Sequence, residues 1–502
     1  MTTTPDQGRS KPTHADRVRP DGYGADGYGA DGYGAGRLGE SPWDSQHHEY
    51  DYAVTAISGT IPEALRGVLY RIGPGRLDVG GHPLHHIIDG DGMVTCLDIG
   101  ADGVHVRNRY VRTRAYARSA ETSTPPRGFG TQRLGGVWAN ALRFPENMSN
   151  TNVLVHNEAL YTLWEGGRPH RLHPETLEPV GPESFGGALK RIGAFSAHPK
   201  TDPVTGDVYN FGLDFYPQPM IRCYRLDRNA RLHPAGGFPI PKLGFVHDFA
   251  LTARYLVFVL GPLVVTRPIP VALGLRPFDD ALEYRPDLCT TTVLVPRAGG
   301  TPIRIDHDPL FYFHVTNAYE TDDQVVVELV AHDPGHGWAE WNGHLHDFRT
   351  DSGPAFGGTL TRLAITPASR TATTEPLHDA GCEFPQLDQR CTTRRHRFTY
   401  LAEASAPGGD PDSITTIDHR TGARDTFRAE GANTICEPLF AADPGADAEG
   451  KGWLLTLEHQ PQQRSSRMIV LDAEHPGAGP IAAATLDHHV PMTFHGTFVP
   501  AG

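Results

Sequence analysis

The chain has 502 residues, 38% of them apolar and 21% charged, which is enough nonpolar material for a large buried core. Its net charge of −14 excludes a surface built to neutralise phosphates, so nucleic acid is not expected as a partner. No run of about 18 apolar residues occurs, which argues against a membrane-spanning helix.

The first segment, 21–36, reads DGYGADGYGADGYGAG, three copies of a five-residue unit. Such Gly-rich sequence buries too little surface to offset its ordering entropy, so residues 1–45 are expected to be a disordered leader and 46–502 a single domain. The leader has no apolar core of a signal peptide. The six cysteines, Cys96, Cys223, Cys289, Cys382, Cys391 and Cys436, form no CxxC pair. Both features fit reduced thiols and a cytoplasmic location.

From residue 50 onward the pattern is short strands broken by turns. Strand-like apolar runs fall at Val153–Val155, Tyr255–Leu260, Thr291–Val295, Val325–Val330, Trp453–Leu457 and Met468–Leu471. Turn signals stand between them at Lys200–Gly206, Asp227–Ala230 and Asp418–Gly422. Long amphipathic helices are nearly absent, so the fold class is all-β, either a propeller or a sandwich. No WD or kelch signature marks a repeat.

Four histidines bear on that choice. His198 in AFSAHPK, His247 in FVHDFAL, His314 in FYFHVTN and His495 in MTFHGTF all sit in apolar or aromatic strand-like runs. They are 49, 67 and 181 residues apart, so only a closed fold that returns each strand to one axis could bring them together. A propeller does this. Neutral imidazoles with open positions suit Fe(II) or Cu better than Ca or Mg. The chain holds 27 histidines, and a single one beside apolar residues is more often a core residue bonded to a carbonyl. His47, His48, His85, His86, His488 and His489 read as surface or turn residues. Metal-bound histidines usually donate their second N–H to a carboxylate. Glu165 in LYTLWEGG, Glu383 in GCEFPQL and Glu437 in TICEPLF occupy matching apolar contexts. The competing reading of each is a structural ion pair with arginine.

Further segments place these residues in a pattern: GVLYRIGPGR near Gly67, HHIIDGDGMV near Asp89, NTNVL near Thr151, FSAHPKTDPVTGDVYNFG, VHDFALT, FHVTNAYE, CEFP, CEPLF and FHGTFVP. In this order, from about residue 48 to the end, they make the chain resemble the carotenoid cleavage oxygenase family. The resemblance implies a seven-bladed β-propeller with Fe(II) on its axis and a cap of loops and short helices over a substrate tunnel. The implied ligands are His198, His247, His314 and His495, with Glu165, Glu383 and Glu437 behind three of them. It also implies O2 as co-substrate and scission of a conjugated C=C bond into two carbonyl products. Thr151 matches a family position that crowds one open side of the iron, where its role is steric or polar; the competing reading is a purely structural residue. Phe195, Phe313 and Phe494 flank ligands and by strand alternation face away from them, as core.

Stilbene-cleaving relatives carry Lys directly before the first of these glutamates; here the residue is Trp164. An indole cannot pair with a phenolate but can line an apolar tunnel, which favours a carotenoid or apocarotenoid polyene. The DGDG turn at Asp89 is read as structural. A polyene partitions into membranes, and 261–278, after an expected buried strand Tyr255–Leu260, could form an apolar patch at the tunnel mouth. No obligate protein partner is evident. The alternatives are a stilbene-type oxygenase, an isomerohydrolase with the same metal shell, and a non-enzymatic propeller used as a binding platform. His332, His336, His344 and His346, in AHDPGHGWAEWNGHLHD, are read as a solvated loop rather than a second metal site.

Overall fold

The computed structural model describes residues 39–501 except 216–217, 241–243, 333–337, 339–341, 343–345, 347–356 and 407–408. Seven antiparallel sheets follow one another along the chain, as blades of a propeller. Each of the six apolar runs above lies within a strand: Asn152–His156, Tyr255–Leu260, Thr290–Pro296, Val325–His332, Gly452–Gln460 and Ser465–Asp472. The three turn signals act as expected. The side chains of Asp202, Asp227 and Asp418 each accept the backbone N–H of the residue two positions on. Gly206 and Gly422 supply the positive φ that completes two of these turns.

The ring closes by pairing the two ends of the chain. His495–Pro500 joins Gly67–Arg76 in blade 1, with Ile72 opposite His495, and Ala56–Gly59 joins Ala482–Thr485 in blade 7. Closure ties the last blade to the first, as propellers require. Gly496 permits the tight pairing, since a Cβ there would stand 2.3 Å from the Tyr70 carbonyl oxygen.

Sequence alternation becomes face-to-face packing. In Gly103–Tyr110, Val104, Val106, Asn108 and Tyr110 are buried while the residues between them are half-exposed. Neighbouring sheets meet through such faces: Phe211 and Ile221 of blade 3 pack with Phe258 and Val293 of blade 4. Burying a Phe this fully contributes about 2–3 kcal/mol. Cores of this kind run between blades and leave the axis for polar residues.

Two connections rise over one face as the cap. The segment 111–151 carries the helices Arg114–Thr122 and Gly136–Asn140, and 261–289 carries Pro268–Ala272. They are stitched together by Leu142 N–H to Ala272 O (2.7 Å), Phe278 N–H to Phe129 O (2.8 Å) and Gln132 Nε2 to Gly274 O (3.1 Å). Asp89 of the DGDG turn holds the cap from below. Its buried carboxylate accepts the N–H groups of Phe129, Gly130 and Thr131 at 2.5, 2.9 and 2.7 Å, a structural role as expected. Of the expected leader, residues 1–38 lie outside the described residues, whereas Trp43 packs into the core between blades 1 and 7.

All six cysteines are free thiols, four of them buried. Among the described residues no helix is long and apolar enough to cross a membrane.

Candidate metal centre

Each blade's innermost strand carries one of the residues singled out by sequence, either within it or just before it. Blade 1 gives His495, blade 2 Thr151, blade 3 His198 before Lys200–Thr201, and blade 4 His247 before Ala250–Leu251. Blade 5 gives His314 within Phe311–Glu320, blade 6 Glu383 within Cys382–Gln386, and blade 7 Glu437 between Thr434–Ile435 and Leu439–Ala442. Glu165 alone comes from farther out, just after the second strand of blade 2, Ala159–Leu163. His314 and Glu383 both sit at bulges, where pairing with the neighbouring strand slips. Phe384, beside Glu383, is at φ +52°. A bulge re-aims a side chain that regular pleating would point elsewhere.

The four rings converge. One nitrogen from each of His198, His247, His314 and His495 lies within 4.8 Å of all the others. The Nε2 atoms of His198 and His247 are 2.9 Å apart, and those of His247 and His314 3.2 Å apart. Donors about 2.1 Å from a shared ion stand about 3.0 Å apart when adjacent and about 4.2 Å apart when opposite in an octahedron. The cluster therefore has the dimensions of a site for one transition-metal ion, with coordination positions left over.

The glutamates settle which nitrogen faces inward. Glu383 Oε2 accepts from His314 Nδ1 at 2.5 Å, Glu437 Oε1 from His495 Nδ1 at 2.9 Å, and Glu165 contacts His247 Nδ1. A proton held on Nδ1 leaves the Nε2 lone pair for a cation. The three acids thus pair with His247, His314 and His495, and His198 is the ligand candidate without one. Burial first, then the neighbouring His247, His495 and His314, hold the His198 ring well below the usual imidazole value, so it stays neutral. Burial likewise lowers His495, against the pull of Glu437. At His247 burial is outweighed by Glu165, which raises its proton affinity; the same pull would strengthen Nε2 as a donor to a cation. Burial opposes charge on Glu383 and Glu437, yet His314 and His332 around the first, and His495 and Arg71 around the second, hold both carboxyls below their ordinary range.

Sequence reasoning does not single out several residues that complete this arrangement. Asp248 joins three ligand-bearing segments: its carboxylate takes Lys200 Nζ (2.8 Å), two residues beyond His198, and the N–H of Val315 (2.8 Å), next to His314. The fully buried Arg71 donates to Glu437 Oε2 at 2.9 Å and to Thr493 Oγ1, and Gln386 Nε2 donates to Glu437 Oε1 at 2.7 Å. The clue was an acid following His in an apolar run and an Arg inside GVLYRIGPGR.

Some expectations are corrected. His332 is no part of a solvated loop: it ends the strand Val325–His332, is buried, and its Nε2 donates to Glu383 Oε1 at 2.8 Å. His336 and His344 lie outside the described residues. His86, His488 and His489 are buried rather than surface residues: His86 packs edge-to-face with Phe129, His488 stacks on Tyr50 and His489 is bonded to Gln46, the last two partners lying just before blade 1. Phe195 is core, but Phe313 turns its edge to the His247 ring, 5.4 Å between centroids, so it also walls a ligand. Thr151 is buried and its hydroxyl donates to Asn150 Oδ1 at 3.2 Å. Trp164 is half-exposed and its ring lies against Gly166, where a Cβ would come within 2.6 Å of it.

A profile of the RPE65 family, Retinal pigment epithelial membrane protein, matches residues 42–500. The apocarotenoid-15,15′-oxygenase of Synechocystis is 34% identical over 91% of this chain and 95% of its own length. The chain belongs to the RPE65, or carotenoid cleavage oxygenase, family. Solved structures of the Synechocystis apocarotenoid oxygenase superpose with a TM-score of 0.84 at 31% identity, covering 92% of this chain and 98% of theirs; one is a cobalt-substituted form. Two further relatives are less similar. The resveratrol cleavage oxygenase 1 of Aspergillus fumigatus is 26% identical over 84% of this chain and 88% of its own, and the isoeugenol monooxygenase of Pseudomonas nitroreducens 26% over 90% and 95%.

Proposed function

We propose that the chain is an Fe(II)-dependent dioxygenase that cleaves one conjugated C=C bond of an apocarotenoid or carotenoid into two carbonyl products. The observation that carries this is the four-imidazole cluster, with three of its rings backed by carboxylates, in a chain 34% identical to an apocarotenoid oxygenase. The ligand set is His198, His247, His314 and His495, and Glu165, Glu383 and Glu437 hold three of the rings. Iron held there would supply activation of O2. The neutral imidazoles leave its charge to be moderated by the carboxylates behind them. Glu383 and Glu437 fix the rings of His314 and His495 so that their Nε2 atoms stay aimed inward. Thr151 narrows the open side, and Phe313 with Phe245, whose rings lie 5.4 and 5.8 Å from that of His247, keeps water from that ligand.

Trp164 offers no cation for a phenolate, which favours the polyene over a stilbene. For entry of so apolar a substrate, the cap exposes Trp138 (92%), Leu142, Phe144, Ile269, Leu273 and Leu275 on hydrogen-bonded neighbouring segments. This surface is the membrane contact of an otherwise cytoplasmic enzyme. The part of 261–278 that serves it begins after Val265, because Leu263 and Val264 are buried in a strand paired with Leu282–Tyr284.

Protein purified without oxygen and loaded with Fe(II) should contain one iron per chain. With an apocarotenal it should consume one O2 per substrate and release two carbonyl products. Turnover of a retinyl ester without O2 uptake would replace the oxygenase reading by an isomerohydrolase. Trp138→Glu with Leu142→Glu should lower liposome co-sedimentation while leaving the thermal midpoint unchanged; equal binding would remove the membrane contact.

A further inference from the structure

A second set of metal-ligating side chains stands at the seam of blades 5 and 6 and shares no residue with the axial cluster. Glu328 lies on the second strand of blade 5, Val325–His332. His396 precedes the second strand of blade 6, Phe398–Glu403, and His419 follows the third, Ser413–Asp418. One nitrogen of each ring and one oxygen of Glu328 fall within 4.8 Å of one another. Glu328 Oε2 is 3.3 Å from His396 Nε2 and 3.8 Å from His419 Nε2. Donors about 2.0–2.1 Å from a tetrahedral ion stand about 3.3 Å apart. The Glu328–His396 edge has that length, and the Glu328–His419 edge, at 3.8 Å, is within half an ångström of it.

Glu328 supplies an independent reason to look for a ligand. The residue is 2% exposed and its Oε1 is bonded by Arg362, at 2.9 Å from Nη2 and 3.2 Å from Nε. Its Oε2 is buried without a hydrogen-bond partner and aims between the two rings. A buried carboxylate oxygen left unpaired is costly, and the neighbouring donors do not relieve it. The Nε2 atoms of His396 and His419 both turn to the buried Thr399 hydroxyl, at 3.0 and 2.8 Å. A single hydroxyl can donate to one of them only. Asn317 Nδ2 lies 3.1 Å from His396 Nδ1 and 2.8 and 3.3 Å from the carbonyls of Arg394 and Cys391, so two hydrogens face three acceptors; a cation on Nε2 requires both to go to the carbonyls.

We propose that Glu328, His396 and His419 bind a second divalent cation of the zinc class, through Oε2 and the two Nε2 atoms. The fourth position falls to the Thr399 hydroxyl or to water admitted past His419, the most exposed of the three. Nitrogen and oxygen donors in tetrahedral spacing select Zn²⁺ or Co²⁺ over Ca²⁺ and Mg²⁺, which want six or more oxygens. Arg362 on the other carboxylate oxygen fixes Glu328 in orientation, as partners of metal-bound carboxylates do. The ion would clamp blade 5 to blade 6. Its strand also ends in His332, the donor to Glu383, so the clamp would steady one support of the axial centre.

The test uses the full chain with its axial site already filled with iron. Titration with Zn²⁺ should show one further equivalent bound per chain and a rise in thermal midpoint. His419→Gln, altered at the rim of the site, should bind that equivalent at least tenfold more weakly while keeping its iron. Co²⁺ added to the iron-loaded wild type should give the visible absorption of a four-coordinate ion, a readout that needs no variant to fold. The proposal fails if the iron-loaded wild type takes up no second equivalent, or if His419→Gln binds zinc as tightly as the wild type.

Discussion

The two sides of the axial histidine cluster are built differently. On the side of blades 5 to 7, Glu383 and Glu437 are 3% and 1% exposed, and each is held by more than the ligand it serves: His332 shares Glu383, while Arg71 and Gln386 anchor Glu437. On the side of blades 2 to 4, Glu165 is 27% exposed, and among the described residues no carboxylate is paired with His198. Trp164, also half-exposed, and Thr151 belong to this second side. One half of the centre is backed by buried, multiply bonded carboxylates and the other by a single half-exposed one. A site that must admit an apolar substrate and O2 cannot be buried and over-bonded all round, and a site that must hold four neutral imidazoles together cannot be loose all round.

Removing a ring on the side of blades 5 to 7 should be the largest perturbation. His314→Ala is expected to lose the bound metal and to lower turnover by at least about 1,000-fold, read as metal per chain and as O2 uptake. Retention of full stoichiometry would mean that this half is not what holds the ion. Arg71→Met comes next. It leaves Glu437 in the interior without its cation, and breaking a buried pair costs about 3–5 kcal/mol, measurable by denaturant unfolding. The direct comparison is Glu383→Gln against Glu165→Gln. Loss of an outer carboxylate typically costs about 10–100-fold in metal affinity; the upper end is expected for Glu383, which serves two histidines, and the lower end for the solvated Glu165. Equal effects would show that exposure does not distinguish the two sides.

Acid should act more gradually. Burial lowers His86 and His488 to about 3 and His170 and His459 to about 4. A histidine lowered in the folded state binds fewer protons than it does unfolded. Its contribution is therefore complete above pH about 6.5 and is lost as pH falls toward those values, at up to about 1.4 kcal/mol per group per unit. Asp89 and Asp279, raised to about 6 by burial, act in the opposite sense, gaining stability as pH falls through that value. Four groups against two give a thermal midpoint that drops between pH 6.5 and 4.5.

Much of the blade architecture was legible because strands announce themselves locally. Tyr255–Leu260, Val325–Val330 and Met468–Leu471 are apolar runs bounded by turn residues, and each is a central strand buried on both faces. The innermost strands are harder to see. Lys200–Thr201 and Ala250–Leu251 are two residues long, yet they follow His198 and His247 and help to place them. Their order comes from packing against neighbouring blades and from Asp248, whose partners Lys200 and Val315 are 48 and 67 residues away. His332 was misread for the same reason: its segment is polar and Gly-rich, and only the fold brings it to Glu383.

By itself the amino-acid order determined the strands, the turns and the supply of imidazoles and carboxylates in apolar settings, since these depend on neighbours a few residues apart. Only the closed ring decided which acid serves which histidine, which of those acids are buried, and that Glu328, His396 and His419 meet at all. Such contacts join residues far apart in the chain, and their geometry is set by where bulges, blade faces and the paired termini place the backbone.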